Sequence, residues 1–335
     1  MPFSDIIGHE SVVQGLKEMF RNGRLAPVYI FSGPEGIGKR KTALELVKLI
    51  NCAESGEEPC GKCAACAKIG SMNFPDLSVV TPSGKANRIG IDEVREIKRQ
   101  ASMRPFEGAY KVFIIDGAHA LTHEASNSFL KALEEASANS LFILITSLPD
   151  NILPTIRSRS AIVRFKPSRA AEAARLLSGK YGMPGREAVS IAGFTGGRIG
   201  EALRMWESGE WERKNRVIDR ARDLLTGGAG QGTANNEEWA YAERDDLRKD
   251  ISFLVSWMRD IFVAKITHDS GLLYNADRAD EIFEMSLKVS SRDLYRCVNR
   301  LLRLLEYVDY NVNTKIIVDS LLCGIGDMRK ERSNV

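Results

Sequence analysis

No stretch of the chain stays apolar for anything near the roughly 20 residues that a helical bilayer span needs, so nothing in it reads as a transmembrane helix. The amino terminus, Met1-Pro2-Phe3-Ser4-Asp5, has neither the basic nor the apolar region of a secretory signal. A cytoplasmic protein without membrane partners is expected. Excess charge is lacking too: 47 Lys and Arg stand against 44 Asp and Glu, a net +3 in 335 residues. That balance gives no argument for nucleic-acid binding by the chain as a whole, though it leaves room for a local basic face. Sequence repeats and low-complexity tracts are absent. Cysteine is scarce, six residues in all, and four of the six fall between positions 52 and 66.

What is present is an ordinary globular balance, 44% hydrophobic and 27% charged, over a length that suits two or three domains. The clustered Cys52, Cys60, Cys63 and Cys66 follow C-x7-C-x2-C-x2-C. In a reducing compartment such spacing points to a metal site ahead of a disulfide set. Four thiolates complete a tetrahedral Zn²⁺ and leave no open position for water or substrate, so the expected site is structural. The competing readings are four unliganded thiols in a loop and a module that itself binds DNA. The latter has thin support, since only Lys62 and Lys68 flank the cluster and no aromatic lies between the ligands. Cys297 and Cys323 sit in apolar helical patterns and are expected to be small core residues.

Residues 33–40, Gly-Pro-Glu-Gly-Ile-Gly-Lys-Arg, fit the phosphate-loop pattern G-x-x-x-x-G-K-[ST] except at the last position. An apolar run, Val28–Phe31, precedes the loop and a helix-like stretch, Thr42–Ile50, follows it. Gly33, Gly36, Gly38 and Lys39 would cradle a polyphosphate with backbone amides and an ammonium. Arg40 stands where a hydroxyl should hold Mg²⁺. Thr42 is no substitute, because two residues along a helix is a rotation of about 200°. The strand Lys111–Asp116 ends in Asp116, placed to hold Mg²⁺ near the phosphates, with the alternative that it only caps a strand end. Binding of ATP and Mg²⁺ in this altered loop is therefore in doubt.

Short β-branched or aromatic runs at Val28–Phe31, Leu77–Val80, Lys111–Asp116, Leu141–Thr146 and Ala161–Phe165 alternate with amphipathic stretches such as Ile91–Ala101 and Glu124–Ala136. The alternation predicts an α/β domain over 1–165, a mostly parallel sheet covered by helices, with the cysteines as an insertion. Strand signals stop at Lys166. Short helices broken by glycine turns are expected over 166–212, and a Gly- and Asn-rich stretch, Gly227–Asn236, reads as a loop. Beyond it, Leu247, Ile251, Leu254, Met258 and Ile261 form one helical series, and Leu294, Cys297, Leu301, Leu305 and Val308 a second. Both describe an all-α bundle over 213–335.

The stretches Phe3–His9, 33–40, the four-cysteine insertion, Lys111–Asp116, Phe129–Glu135 and Ser158-Arg159 together resemble the bacterial DNA polymerase III clamp-loader subunits, a branch of the AAA+ family. The resemblance covers most of residues 1–165. It implies an AAA+ domain with a zinc module, a small helical lid (166–212) and a helical collar (213–335). In the zinc module the first gap is seven residues where eight is familiar. The resemblance assigns Arg159, with Ser158 before it and Ser160 in place of the usual Cys, as an arginine finger acting in trans on a neighbour's ATP; the alternative is a solvated basic turn near Arg157 and Arg164. Such a finger contributes around 10³–10⁵ in rate. Gly117 stands where AAA+ ATPases carry a Glu that activates water, a group worth around 10²–10⁴. Gly200, in Gly197–Leu203, stands at the sensor 2 arginine position, with Arg198 two residues early. Two subunit types share this layout, the ATP-hydrolysing gamma/tau motor and the delta-prime type with a degraded site. The losses at 40, 117 and 200, with the finger kept, fit the second. The implied partners are gamma/tau and delta subunits and, through the complex, the sliding clamp and primer-template DNA.

Overall fold

In β1 (Val28–Ser32) successive side chains alternate between the two faces of the sheet. Val28 and Ile30 join one apolar cluster, and Tyr29 and Phe31 join the other; all four are buried. A strand buried on both faces belongs in the middle of a covered parallel sheet. A computed structural model of the chain puts it there. The structure describes residues 3, 6, 8–54, 56–84, 87–226, 243–310 and 312–330.

The other strands are β2 (Leu77–Val80), β3 (Lys111–Asp116), β4 (Ser140–Thr146) and β5 (Ala161–Arg164). The order is β2-β3-β4-β1-β5, and every pairing is parallel. All five expected strands are found, with shifts of one residue at the ends of β1, β4 and β5. Helices α1 (Glu10–Arg21), α2 (Lys39–Asn51) and α3 (Ala64–Gly70) supply Leu16, Leu46, Val47, Ile50 and Ile69 to one face. On the other face α4 (Ile91–Ala101) and α5 (His123–Glu134) bring Val94, Ile97 and Phe129 against Phe113 and Phe142, whose rings stack at 5.2 Å. α5 begins one residue earlier than its apolar pattern because the Thr122 hydroxyl accepts the Ala125 amide, at 3.2 Å. Ahead of β3, the buried carboxylate of Asp76 accepts the amides of Phe106, Glu107 and Gly108 at 2.7–2.9 Å. That clamp fixes where β3 starts and hence where Asp116 ends it.

The chain separates into two compact units: Met1–Ser168 with Arg198–Glu201, and Arg169–Gly197 with Ala202–Val335. Among the described residues the second unit holds no strand. Its long helix Arg244–Thr267 packs against Glu210–Thr226, Ala279–Lys288 and Ser291–Asp309. Leu247, Ile251, Leu254, Met258 and Ile261 are all fully buried, as their spacing predicts. In Ser291–Asp309 the buried series is Leu294, Cys297, Leu301, Leu304 and Val308; Leu304 takes the place expected for Leu305, which is only half-buried. Cys323 also departs from expectation and is exposed. Thr314–Lys330 buries Ile317, Val318, Leu321 and Ile325, and two residues past Leu321 the helix has turned about 200° away. Lys214 is fully buried, its ammonium 3.0 Å from Asn275 Oδ1, 3.7 Å from Asp277 and 3.6 Å from the centroid of the Trp211 ring. The stretch Gly227–Asn236 lies outside the described residues.

Candidate functional site

Strand order brings the phosphate-loop parts together. β4 lies between β3 and β1, so the carboxyl ends of three adjacent strands deliver Asp116, Thr146 and Gly33 side by side. The Gly33 amide donates to the Thr146 carbonyl at 3.2 Å, and the Gly117 amide to Ile145 O at 3.0 Å. This is the crevice at the strand ends where open α/β sheets take ligands.

Residues 33–38 connect β1 to α2, and Gly33, Gly36 and Gly38 all carry positive φ. Lys39 opens the helix and is buried; its ammonium donates to Gly33 O at 2.6 Å and Pro34 O at 2.5 Å. Burial lowers its pKa, against the opposing pull of Glu35 and Asp116. Arg40 reaches across to Asp116, Nη1 to Oδ2 at 3.6 Å. Burial pushes the Asp116 carboxyl up from its ordinary range, while Arg40 and Lys39 draw it back. The Thr42 hydroxyl, fully buried, donates to Gly38 O at 3.0 Å and so is turned into its own helix.

Two glycines are explained by what surrounds them. Gly117 has φ +87°, and a Cβ there would lie 2.8 Å from Pro82 Cγ. Gly200 falls within the first unit. Its amide donates to Gly36 O at 2.8 Å, and a Cβ would meet that oxygen at 2.6 Å. Neither position accepts a side chain without moving its neighbours.

Sequence reasoning gave no role to His9 or Thr146. The His9 ring is buried, its Nε2–H donates to Ile37 O at 2.7 Å, and it meets Phe165 edge-on at 4.9 Å. It pins the phosphate loop from outside, and burial lowers its pKa, which favours the neutral ring. Thr146 Oγ1 lies 3.3 Å from His119 Nδ1 and accepts the Leu148 amide at 3.0 Å. No spacing marks either residue; strand order places Thr146, and the paths of the loop and of the chain ahead of α1 place His9.

Past β4, the segment 154–160 carries two arginines with different surroundings. Arg157 donates to Asp150 at 2.7 Å. Arg159 has only long contacts, 3.3 Å to Thr155 O and 3.9 Å to Glu134, and its side chain is 53% exposed. Ser158 donates to Thr155 O at 3.1 Å.

The sulfurs of Cys52, Cys60, Cys63 and Cys66 lie within 4.8 Å of one another. A tetrahedron with bonds of about 2.3 Å places its sulfurs about 3.8 Å apart. The amides of Cys60, Cys63 and Cys66 approach the preceding cysteine sulfurs at 3.3–3.5 Å, and backbone groups of Ala53 and Cys66 pull the Cys63 thiol down to about 6. The set fits a thiophilic metal ion such as zinc. Mg²⁺ at such a loop is held by phosphate oxygens, waters and one or two protein carboxylates; the carboxylate available here, Asp116, lies 3.6 Å from the Arg40 guanidinium.

Residues 8–169 match the family model described as DNA polymerase III, delta subunit. This part of the chain is similar to that family of DNA polymerase III subunits. Along nearly its whole length the chain is similar to the subunit delta′ of Bacillus subtilis, 27% identical over 93% of this chain and 94% of that one. The subunit gamma/tau of Mycobacterium tuberculosis is 36% identical over 165 residues, 49% of this chain. The chain spans only 28% of the length of that relative. Among solved structures, a gamma subunit-related protein of Thermotoga maritima aligns over 95% of this chain and 99% of its own, at 17% identity and a TM-score of 0.49. Among the described residues no helix is long and apolar enough to cross a membrane.

Proposed function

We propose that this chain is a delta-prime-type subunit of a DNA polymerase III clamp loader, one that does not hydrolyse ATP itself and supplies Arg159 in trans to a neighbouring ATP site. The observation that carries this reading is the contrast within 154–160: Arg157 is tied to Asp150, while Arg159 projects into solvent with weak contacts. A guanidinium held loosely in the turn between Pro154–Arg157 and β5 can reach another subunit and neutralise charge developing on a transferring phosphoryl group. The full-length similarity to a delta′ subunit supports the same reading. So do Arg40, Gly117 and Gly200, which leave the chain's own site without the metal hydroxyl, the water-activating carboxylate and the second-domain arginine. Residues 166–212 serve as a lid, and 213–335 as a collar joining gamma/tau and delta subunits. Through that assembly the chain acts on the sliding clamp and primer-template DNA in the cytoplasm. Cys52, Cys60, Cys63 and Cys66 hold a structural Zn²⁺.

The second reading is an ATP-hydrolysing gamma/tau-type motor, favoured by the 36% identity over 165 residues. Reconstitution with gamma/tau and delta partners separates them. On the first reading clamp loading requires this chain while the chain alone, given Mg²⁺ and ATP, shows no turnover. Appreciable turnover by the isolated chain would establish the motor.

A further inference from the structure

The phosphate loop holds a cation of its own. Arg40 stands on the first turn of α2, at the position whose hydroxyl would bind Mg²⁺, and its guanidinium reaches Asp116, the carboxylate that would share that ion. The two residues come from different strand–helix junctions, so the contact requires β3 and β1 to flank β4 as they do. The remaining hydroxyl on this turn, Thr42, is bonded to Gly38 O and turned inward. A divalent ion here would find the Asp116 carboxylate with the Arg40 guanidinium 3.6 Å away from it. Mg²⁺ demands near-octahedral oxygen coordination and dehydrates reluctantly. A guanidinium instead presents a planar fork of donors that matches phosphate oxygens and needs no coordination sphere. Lys39 and the positive-φ glycines of the loop keep the rest of a polyphosphate cradle in place.

We propose that Arg40 takes the place of the divalent cation, so that this loop binds a nucleoside di- or triphosphate free of Mg²⁺, as a resident ligand and not as a fuel. The inference rests on reading 33–40 as a nucleotide site. It does not depend on the role of Arg159. Arg40 draws on Asp116 for orientation and on its own charge for affinity, while Lys39 contributes the second cationic contact.

Binding of fluorescent ADP and ATP analogues to the full chain, in excess Mg²⁺ and in EDTA, tests it on three proteins. For the natural chain the two conditions should give affinities within twofold. Arg40→Ser should bind at least tenfold more weakly in EDTA than in Mg²⁺, because the hydroxyl and the freed Asp116 then recruit the ion. Lys39→Ala should lose at least tenfold in both conditions. Arg40 is half-exposed, so its replacement leaves the core intact; unchanged circular dichroism and melting confirm this, and Arg40→Lys, which keeps the charge without the fork, should remain insensitive to EDTA. Tenfold or greater Mg²⁺ dependence in the natural chain would overturn the proposal while leaving the nucleotide site standing. Absence of binding of either nucleotide under both conditions would overturn the nucleotide site itself.

Discussion

Replacing Gly117 by alanine puts a single methyl group into the space that explains the missing carboxylate. Gly117 has φ +87°, where a non-glycine residue costs of order 1–3 kcal/mol, and its amide is bonded to Ile145 O, which resists rotation away from that φ. The added Cβ would sit 2.8 and 3.0 Å from Pro82 Cγ and Cδ. A proline ring has no rotamer to retreat into, so overpacking adds about 1 kcal/mol or more. The two terms together predict a loss of about 2–4 kcal/mol. For a unit of this size that lowers the melting temperature by roughly 5–15 °C. Calorimetry on G117A measures it directly. The functional arm is R40S/G117E, which returns both a hydroxyl and a carboxylate to the positions an ATPase would use. Because the carboxylate cannot be seated against Pro82 without distortion, the double variant should gain no ATP turnover. A G117A melt within 1 °C of the natural chain, or measurable turnover by the double variant, would refute the reasoning.

Metal analysis of the purified chain should find one zinc, and Cys60→Ser or Cys63→Ser should abolish it. Cobalt substitution should give the visible bands of a tetrahedral thiolate site, and a six-coordinate spectrum would contradict the four-sulfur set. Lys214 gives a pH test. Burial lowers its pKa to about 8 from 10.5, against Asp277, which raises it. Between those values the unfolded chain holds a proton that the native chain does not, so its contribution to stability rises with pH. The stability of the natural chain relative to Lys214→Met, followed by denaturant unfolding, should improve by roughly 2–3 kcal/mol from pH 7.5 to pH 10. A pH-independent difference would show that the amine keeps its proton in the fold.

The strands were legible because burial on both faces of a parallel sheet leaves continuous β-branched and aromatic runs, as in Lys111–Asp116, with little competing helical pattern. The cysteine cluster was legible because its ligands are local in sequence. Helix phase was read less finely: Leu304 displaced Leu305, and Cys323 fell on the exposed side, since an apolar pattern fixes a face only to within a residue. The contacts that define the site could not be read at all. Arg40 meets Asp116, Gly200 meets Gly36 O, and His9 meets Ile37 O only because the sheet order and the loop path bring distant segments together. Sequence showed that Arg40 stands where the phosphate-loop pattern has a hydroxyl. The structure shows what the new side chain does with the carboxylate left behind.

The central claim is that Arg159 acts on another subunit's ATP, and single-turnover hydrolysis in the reconstituted complex tests it most directly. With Arg159→Ala, hydrolysis at the neighbouring ATP site should slow by at least tenfold, consistent with a finger's contribution of around 10³–10⁵ at full engagement. Assembly, zinc content and melting of the subunit should be unchanged, because the side chain is exposed and weakly bonded. Arg157→Ala, whose partner is Asp150, should leave the rate as it is. Hydrolysis by the Arg159→Ala complex at the rate of the natural one would contradict the account.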